Sequence, residues 1–139
     1  MKCVLDAGVL VALFVPQPTT DECIAFVNDA LTQADAELRA LDCVFYEVAA
    51  TLRKFERLGA YHEMDADVLK LYRMPIAAVS CHDLMQVAAT ISREHVMSPY
   101  DAFYVALSQR EGLPLITADD RLVNGVNGKG FDVRHVASL

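Results

Sequence analysis

Two aspartates in the last third of the chain stand where one predicted element meets the next. Asp101 lies three residues after Ser98, in the run Ser-Pro-Tyr-Asp, and Asp119 comes directly after the run Leu-Pro-Leu-Ile-Thr-Ala. The first run is typical of a helix start, and the second is typical of a buried strand that has just ended. The carboxyl ends of strands are where α/β sheets bind ligands. Asp101 and Asp119 are therefore the first candidates for chemistry.

Two further acids occupy comparable positions in the first half of the chain. Asp6 ends the apolar run Cys-Val-Leu, and Glu47 has apolar neighbours on both sides in Val-Phe-Tyr-Glu-Val-Ala-Ala. A carboxylate among apolar residues either reaches solvent or meets a cation. Carboxylates that share a pocket raise one another's pKa unless a cation is bound. An all-oxygen ligand set selects Mg²⁺ or Mn²⁺ and not zinc, so these acids predict a site for a hard dication.

Each acid also has a structural explanation. Asp6 can cap the helix that follows it, and Asp101 completes a capping box with Ser98. Asp119 can form an Asx turn, with Asp120 as a helix cap. The joint occurrence of these acids at junctions between elements favours one shared pocket over separate structural roles.

Length and composition limit the class of protein. The chain has 139 residues, of which 54% are hydrophobic, and a formal net charge of −7. We expect one domain spanning residues 1–139, without a membrane span, and a cytoplasmic protein, because no apolar run has the length of a span or signal segment. The negative charge argues against nonspecific nucleic-acid binding, although a bound dication would reverse the sign of the site.

The cysteines and histidines show no metal-binding spacing. Cys3, Cys23, Cys43 and Cys81 are far apart in the sequence and lie mostly among apolar residues. We predict that all four are reduced core residues, forming neither a zinc site nor disulfides. The four histidines, His135 among them, are expected to be caps or surface residues.

Hydrophobic patterning predicts strands that alternate with helices. The predicted strands are Lys2–Asp6, Glu37–Leu41, Ile76–Val79, Leu113–Thr117 and Phe131–Val136. The predicted helices cover 9–14, 20–35, 42–59, 65–73, a segment from His82, and a segment from Ser98 to Gly112, while 124–130 is predicted to be a turn-rich loop. This alternation predicts an α/β fold with a mostly parallel sheet and helices on both faces.

Four stretches of the chain together resemble the acidic motifs of PIN-domain proteins, in the same order and at similar spacing. They are Leu5-Asp6-Ala-Gly-Val-Leu-Val, Tyr46-Glu47-Val-Ala-Ala-Thr-Leu-Arg, Tyr100-Asp101-Ala-Phe-Tyr-Val-Ala-Leu and Thr117-Ala-Asp119-Asp-Arg-Leu. The resemblance covers nearly the whole chain and is greatest to the VapC-type toxins of toxin–antitoxin pairs. It implies a three-layer α/β/α sandwich.

The resemblance also implies an activity. It implies a Mg²⁺- or Mn²⁺-dependent endoribonuclease in which Asp6, Asp101 and Asp119 hold one or two ions and Glu47 completes the shell. Hydrolysis would leave 5′-phosphate and 3′-hydroxyl ends. A homodimer and an antitoxin whose peptide occupies the acidic groove are implied as well. One departure is Gly8, which stands where the family often has Ser or Thr.

Two other functions fit the same residues. A PIN-like fold with a weakened site would bind nucleic acid or protein without turnover. A phosphohydrolase or phosphoreceiver would use Asp6 as nucleophile, but it needs a second acid close behind Asp6 or a lysine after a later strand. The basic residues available to hold RNA are few: Arg53, Lys54, Arg57, Arg121 and Lys129.

Overall fold

Five short parallel strands form the central sheet of the protein. The computed structural model describes residues 1–139, and its strands are Lys2–Leu5 (β1), Glu37–Leu41 (β2), Ile76–Val79 (β3), Leu115–Thr117 (β4) and Val133–His135 (β5). Their order across the sheet is β3-β2-β1-β4-β5, and every neighbouring pair is parallel. The predicted α/β class is confirmed, with a sheet that is parallel throughout.

Seven α-helices connect and cover the strands. They are Ala7–Ala12 (α1), Thr20–Thr32 (α2), Val44–Arg57 (α3), Met64–Arg73 (α4), Met85–His95 (α5), Pro99–Glu111 (α6) and Asp120–Val126 (α7). Short 3₁₀ turns lie at His82–Leu84 and Val136–Ser138. None of these helices combines the length and apolar character needed to cross a bilayer. The cytoplasmic location stays a prediction.

The order of the strands locates the place where a ligand can bind. The chain moves outward from β1 to β2 and β3, then returns past β1 to β4 and β5. Because crossovers are right-handed, connections running in opposite directions lie on opposite faces of the sheet, which gives the three-layer sandwich. The strand order reverses between β1 and β4, and α/β sheets bind ligands outside the carboxyl ends of the strands at such a reversal.

Helix α6 forms as its sequence predicts. The Ser98 hydroxyl caps it by accepting the Asp101 N–H at 3.1 Å, and Gly112 ends it with a φ of +64°. Glycine takes this left-handed conformation without the steric cost of a Cβ. The helix buries a nearly continuous run of side chains against β1, β2, β4 and α5: Ala102, Tyr104, Val105, Ala106, Leu107 and Ser108.

Most predicted boundaries differ from the structure by one to three residues; for example, the helix predicted from His82 begins as a 3₁₀ turn and becomes α-helical at Met85. At two places a tertiary contact takes precedence over local sequence signals. Helix α3 begins after Cys43, while Asp42, the predicted cap, accepts the Cys81 backbone N–H at 3.1 Å. Residues 124–126, predicted to be part of a loop, complete α7. Leu122 and Val126 are buried one helical turn apart on α7, and this packing overrides the turn-forming residues between them.

Asp67 is a buried acid that the sequence did not distinguish from exposed ones. Its side chain is 5% exposed, and it accepts hydrogen bonds from the Tyr61 hydroxyl and the Lys70 ammonium group, both at 2.7 Å. Buried charges are stable only when they are paired and hydrogen-bonded. This cluster therefore fixes the start of α4 to the loop that precedes it.

Replacing Tyr61 with phenylalanine is expected to destabilise the protein. The change removes one donor from a buried carboxylate oxygen, which costs about 1–3 kcal/mol of unfolding free energy. Chemical denaturation measures it, and Tyr72→Phe is the matched control because Tyr72 is 81% exposed. Equal stabilities for both variants and the unmodified protein would contradict this role of Tyr61.

Candidate active site

Asp6 lies at the carboxyl end of β1, beside the end of β4. The pairing of Leu5 with Ile116 places Asp6 opposite Thr117. The Thr117 hydroxyl donates to the Asp6 carboxylate and accepts the Asp119 backbone N–H at 3.0 Å. Thr117 thus connects two of the predicted site acids. Asp6 also caps α1 by accepting the Val9 N–H at 3.0 Å, so its structural and functional explanations are compatible.

Ionisation of the Asp6 carboxyl group is unfavourable in its surroundings. Burial raises the pKa of Asp6 to about 6, although hydrogen bonds from Thr117 and Val9 act in the opposite direction. The nearby negative charge of Asp119 contributes to the increase. A bound dication would remove this penalty, because an adjacent positive charge favours the ionised form.

Asp119 is the N-cap of α7, the role that the sequence assigned to Asp120. Its carboxylate accepts the Arg121 backbone N–H at 2.8 Å and lies 3.4 Å from the Arg121 guanidinium group. Partial burial raises the pKa of Asp119, but these interactions with Arg121 outweigh burial and hold it below its usual value. Asp119 is therefore ionised at neutral pH.

Glu47 reaches the same region from the first turn of α3, which packs against α1. Its Oε1 atom accepts the Tyr104 hydroxyl at 3.1 Å and the Cys43 thiol at 3.3 Å. The helix around Glu47 is not buried on all sides, since Tyr46, the residue before Glu47, is 77% exposed. The orientation of Glu47 is set by these two donors rather than by a continuous apolar surface.

A cleft of about 410 Å³ opens where these side chains meet. Four carboxylates line the cleft, those of Asp6, Glu47, Asp119 and Asp120. No lysine or arginine lines it. Asp101 does not line this cleft. It borders a second depression of about 480 Å³, shared with Asp119 and Arg121. Asp119 thus belongs to both depressions. The structure brings Asp6, Glu47 and Asp119 into one cleft, whereas Asp101 lies beside that cleft.

The spacing of the carboxylates fits a hydrated cation. No three of them place oxygens within 4.8 Å of one another, so a single ion could not be bound directly by all four in this arrangement. Magnesium keeps several of its waters and usually takes only one or two carboxylates from a protein. An all-oxygen donor set with a buried, hard-to-ionise aspartate fits that mode of binding.

Gly8 keeps one side of Asp6 open. A Cβ at this position would lie 3.2 Å from Asp6 Oδ1, closer than nine in ten real Cβ contacts. A serine or threonine here would therefore press on the carboxylate unless Asp6 moved. The Gly8 departure noted in the sequence is thus matched to the present position of Asp6.

The sequence did not identify two residues of this site. Tyr104 appeared only as part of the motif that begins at Tyr100, without a role of its own, yet its hydroxyl donates to Glu47. His135, expected to be a cap or a surface residue, does cap the last 3₁₀ turn, but it also lines the cleft. Because its Nδ1 accepts the Ala137 N–H, the neutral ring carries its proton on Nε2, 3.6 Å from Asp120 Oδ1. Its place at the end of β5 was the signal that could have revealed it.

The prediction that the cysteines are core residues is correct for two of the four. Cys3 and Cys23 are buried core residues, and all four thiols are free. Cys43 and Cys81 are only half-buried, and their Sγ atoms lie 3.2 Å apart. Residues far apart in sequence are adjacent here because they follow the neighbouring strands β2 and β3.

Comparison with known families identifies the fold. The family described as the PIN domain matches residues 3–125. The chain belongs to the PIN-domain family. A curated relative, Ribonuclease VapC3 from Pyrobaculum aerophilum, is 35% identical over 126 residues, which cover 88% of this chain and 92% of the relative.

Solved structures show the same architecture. A chain of a toxin–antitoxin complex from Klebsiella pneumoniae superposes with a TM-score of 0.69 at 18% identity, covering 96% of this chain and 97% of that chain. VapC20 of Mycobacterium tuberculosis, a toxin that cleaves the sarcin-ricin loop, superposes with a TM-score of 0.66 at 15% identity, covering 93% and 95%. At these identities the likeness concerns the fold, and the predicted PIN-like sandwich is confirmed.

Proposed function

We propose that this PIN domain is an endoribonuclease that depends on Mg²⁺ or Mn²⁺ and acts as the toxin of a toxin–antitoxin pair. The observation that carries the proposal is the cleft at the strand reversal, which four carboxylates line without a lysine or arginine. The VapC3 relative is a ribonuclease, which supports the choice of RNA as substrate.

The proposed roles follow from the position of each acid. Asp6, Glu47 and Asp119 would hold a hydrated cation in the cleft, one or two of them directly and the others through its water molecules. Asp101, in the adjoining depression, would act through water as well. When bound, such a cation polarises water toward attack and neutralises charge that develops on the phosphate. Thr117 and Tyr104 keep Asp6 and Glu47 oriented by donating hydrogen bonds to them.

Arg121 is the basic residue best placed to contact the RNA backbone. Its side chain is almost fully exposed, and it borders the depression that Asp101 and Asp119 share. Arg53, by contrast, forms an ion pair with Glu56 on the same helix, at 2.8 Å. Because Arg121 is the one lysine or arginine side chain that borders the site acids, RNA binding would depend on substrate shape and on the metal ion more than on net charge.

A cleavage assay tests the proposal. RNA incubated with the purified protein should be cut in Mg²⁺ or Mn²⁺, left intact in EDTA, and cut again when the dication is restored. The new ends should be 5′-phosphates, which a phosphatase-dependent labelling step detects. Cleavage that persists in EDTA, or ends carrying a 2′,3′-cyclic phosphate, would contradict a metal-dependent hydrolysis.

Tyr104→Phe is expected to lower the cleavage rate and to raise the Mg²⁺ concentration required for half-maximal rate. Residues that orient metal ligands cost roughly 10–100-fold when removed, and the hydroxyl of Tyr104 orients Glu47. A loss of stability alone would reduce activity equally at all Mg²⁺ concentrations. The shift in Mg²⁺ dependence therefore separates orientation of Glu47 from a purely structural role.

The partner proteins are proposed from the same relationship. We infer a homodimer and an antitoxin that covers the acidic cleft, and structures that match this fold include a toxin–antitoxin complex. Light scattering of the purified protein tests the dimer. Inhibition of RNA cleavage by a co-expressed partner, lost when that partner is removed by proteolysis, tests the antitoxin.

A binding module without turnover is the second candidate, and Gly8 favours it, because the hydroxyl often present there is missing. A calorimetric titration that detects no Mg²⁺ or Mn²⁺ binding would support it. The phosphohydrolase or phosphoreceiver alternative is weaker. It needs a lysine near Asp6 if no second acid follows directly, and no lysine lines the cleft.

A further inference from the structure

A second cluster of potential metal ligands lies one helical turn before Glu47. Three side-chain atoms, from Asp42, Cys43 and Cys81, lie within 4.8 Å of one another. The two sulfur atoms are 3.2 Å apart. None of the three residues lines the acidic cleft, so the proposed nuclease chemistry does not account for them.

The sheet itself brings these residues together. Leu41 at the end of β2 pairs with Val79 at the end of β3, and each thiol follows two residues later. The Asp42 N–H donates to the Val79 carbonyl at 2.8 Å, and the Asp42 carboxylate accepts the Cys81 N–H at 3.1 Å. The cluster is therefore held at the ends of two adjacent strands by one backbone hydrogen bond and one hydrogen bond from a backbone N–H to a side chain.

We propose that Cys43, Cys81 and Asp42 form a binding site for a thiophilic divalent cation of the zinc class. Two sulfurs and one carboxylate oxygen supply three ligands, and zinc sites with three protein ligands complete their tetrahedron with water or another donor. Water would take the fourth position, because no further His, Cys, Asp or Glu ligand atom lies within 4.8 Å of all three. In a tetrahedral zinc site two sulfurs lie about 3.8 Å apart, so the thiols need to separate only slightly.

Sulfur ligands distinguish this site from the acidic cleft. Magnesium and manganese prefer oxygen donors, whereas thiolates select zinc and related cations. Binding follows a balanced exchange: the ion takes up both thiolates, and each thiol releases one proton to solvent, so that two protons leave for each ion. No oxidant or reductant is required.

Carboxylates lie beside both thiols. Glu47 Oε1 is 3.3 Å from Cys43 Sγ, and the Asp42 carboxylate accepts the Cys81 N–H at 3.1 Å. Negative charge beside the thiols stabilises a bound dication, and the charge of the dication in turn favours the thiolate form of its ligands.

Cobalt(II) is the appropriate probe because its absorption reports thiolate ligands in a tetrahedral site. The full-length protein, reduced and free of metal, should bind one Co²⁺ with a sulfur-to-metal charge-transfer band, release close to two protons, and exchange Co²⁺ for Zn²⁺. Cys43→Ser and Cys81→Ser should each lose the band and weaken Zn²⁺ binding by at least about 100-fold. Asp42→Asn should weaken it less.

Cys23→Ala is the matched control. Cys23 is a buried thiol on α2 whose sulfur has only a 3.8 Å contact with Thr19, so its variant should keep the cobalt band. If the serine variants fail to fold, alkylation of the unmodified protein gives the same information. Bound Zn²⁺ should protect Cys43 and Cys81 from iodoacetamide, as mass spectrometry of their peptides measures.

Three results would overturn the proposal. They are the absence of a cobalt band in the reduced protein, a band that survives in Cys43→Ser, and alkylation that Zn²⁺ does not slow. A Cys43–Cys81 disulfide that forms in air, in a protein whose reduced form binds no metal, would assign the pair to redox chemistry instead. Each readout is independent of RNA cleavage, so the site can stand or fall separately from the nuclease.

Discussion

Asp6→Asn is expected to abolish RNA cleavage, with a loss of at least about 100-fold, the scale seen when one electrostatic group is removed from a reacting site. Asp6 lies at the point where the strand order reverses, and its carboxylate faces the cleft that Glu47 and Asp119 also line. Asparagine preserves the size of the side chain and the cap of α1 but removes the negative charge that holds a dication. Initial rates of RNA cleavage at saturating Mg²⁺ measure the effect.

Asp119→Asn should show a loss of the same order, and Asp83→Asn should show none. Asp83 is exposed and lines neither of the two depressions that contain the site acids. Asp101→Asn tests the geometry more sharply, because Asp101 borders only the second depression. A loss of cleavage in this variant would show that both depressions contribute to the site. If Asp6→Asn cleaves RNA at the rate of the unmodified protein, the assignment of the cleft as the active site is wrong.

Asp6→Asn is also expected to stabilise the metal-free protein at neutral pH. The pKa of Asp6 is raised to about 6 by burial, from a usual value of 3.8, so the folded protein holds this proton more tightly than the unfolded chain does. Stability therefore falls as the pH rises between these two values. Above about pH 6 the full penalty is present, up to about 3 kcal/mol for a shift of about two units.

Asparagine does not ionise, so the Asp6→Asn variant does not carry this free-energy penalty. Its advantage over the unmodified protein should be near zero at about pH 4 and largest at about pH 8, as denaturant titrations in EDTA measure. Adding Mg²⁺ should stabilise the unmodified protein at about pH 8 and have little effect on the variant, because binding to the folded state alone raises stability. A variant less stable than the unmodified protein at both pH values would contradict the prediction, because it would show that the Asp6 carboxylate stabilises the fold.

Local sequence signals were sufficient where one element determines its own structure. The Ser98 cap, Pro99 and Gly112 define helix α6 within thirteen residues, and strands β2 and β3 have the predicted bounds. The strand-helix alternation also predicted the sheet and the edge that carries Asp6 and Asp119. These features depend on short-range hydrogen bonding and on hydrophobic periodicity, which a sequence contains directly.

Side-chain burial was harder to predict than the fold. Asp67 looks like any exposed helical acid, yet it is enclosed with Tyr61 and Lys70. His135 could be recognised as a residue at the end of a predicted strand, but the sequence did not show that the cleft reaches that strand. Helical periodicity describes contacts within α4, such as that of Lys70, but not the contact from Tyr61, which lies in the loop before the helix.

The amino-acid sequence alone determined the fold class, the order of the four acidic motifs and the resemblance to PIN-domain proteins, because periodicity and motif spacing are properties of the chain. Only the tertiary structure decided that Asp6, Glu47 and Asp119 share a cleft while Asp101 lies beside it. It also placed Cys43 against Cys81, since the register between β2 and β3 joins residues 38 positions apart. Such distances depend on how strands pair and helices pack, which no single segment of the sequence specifies.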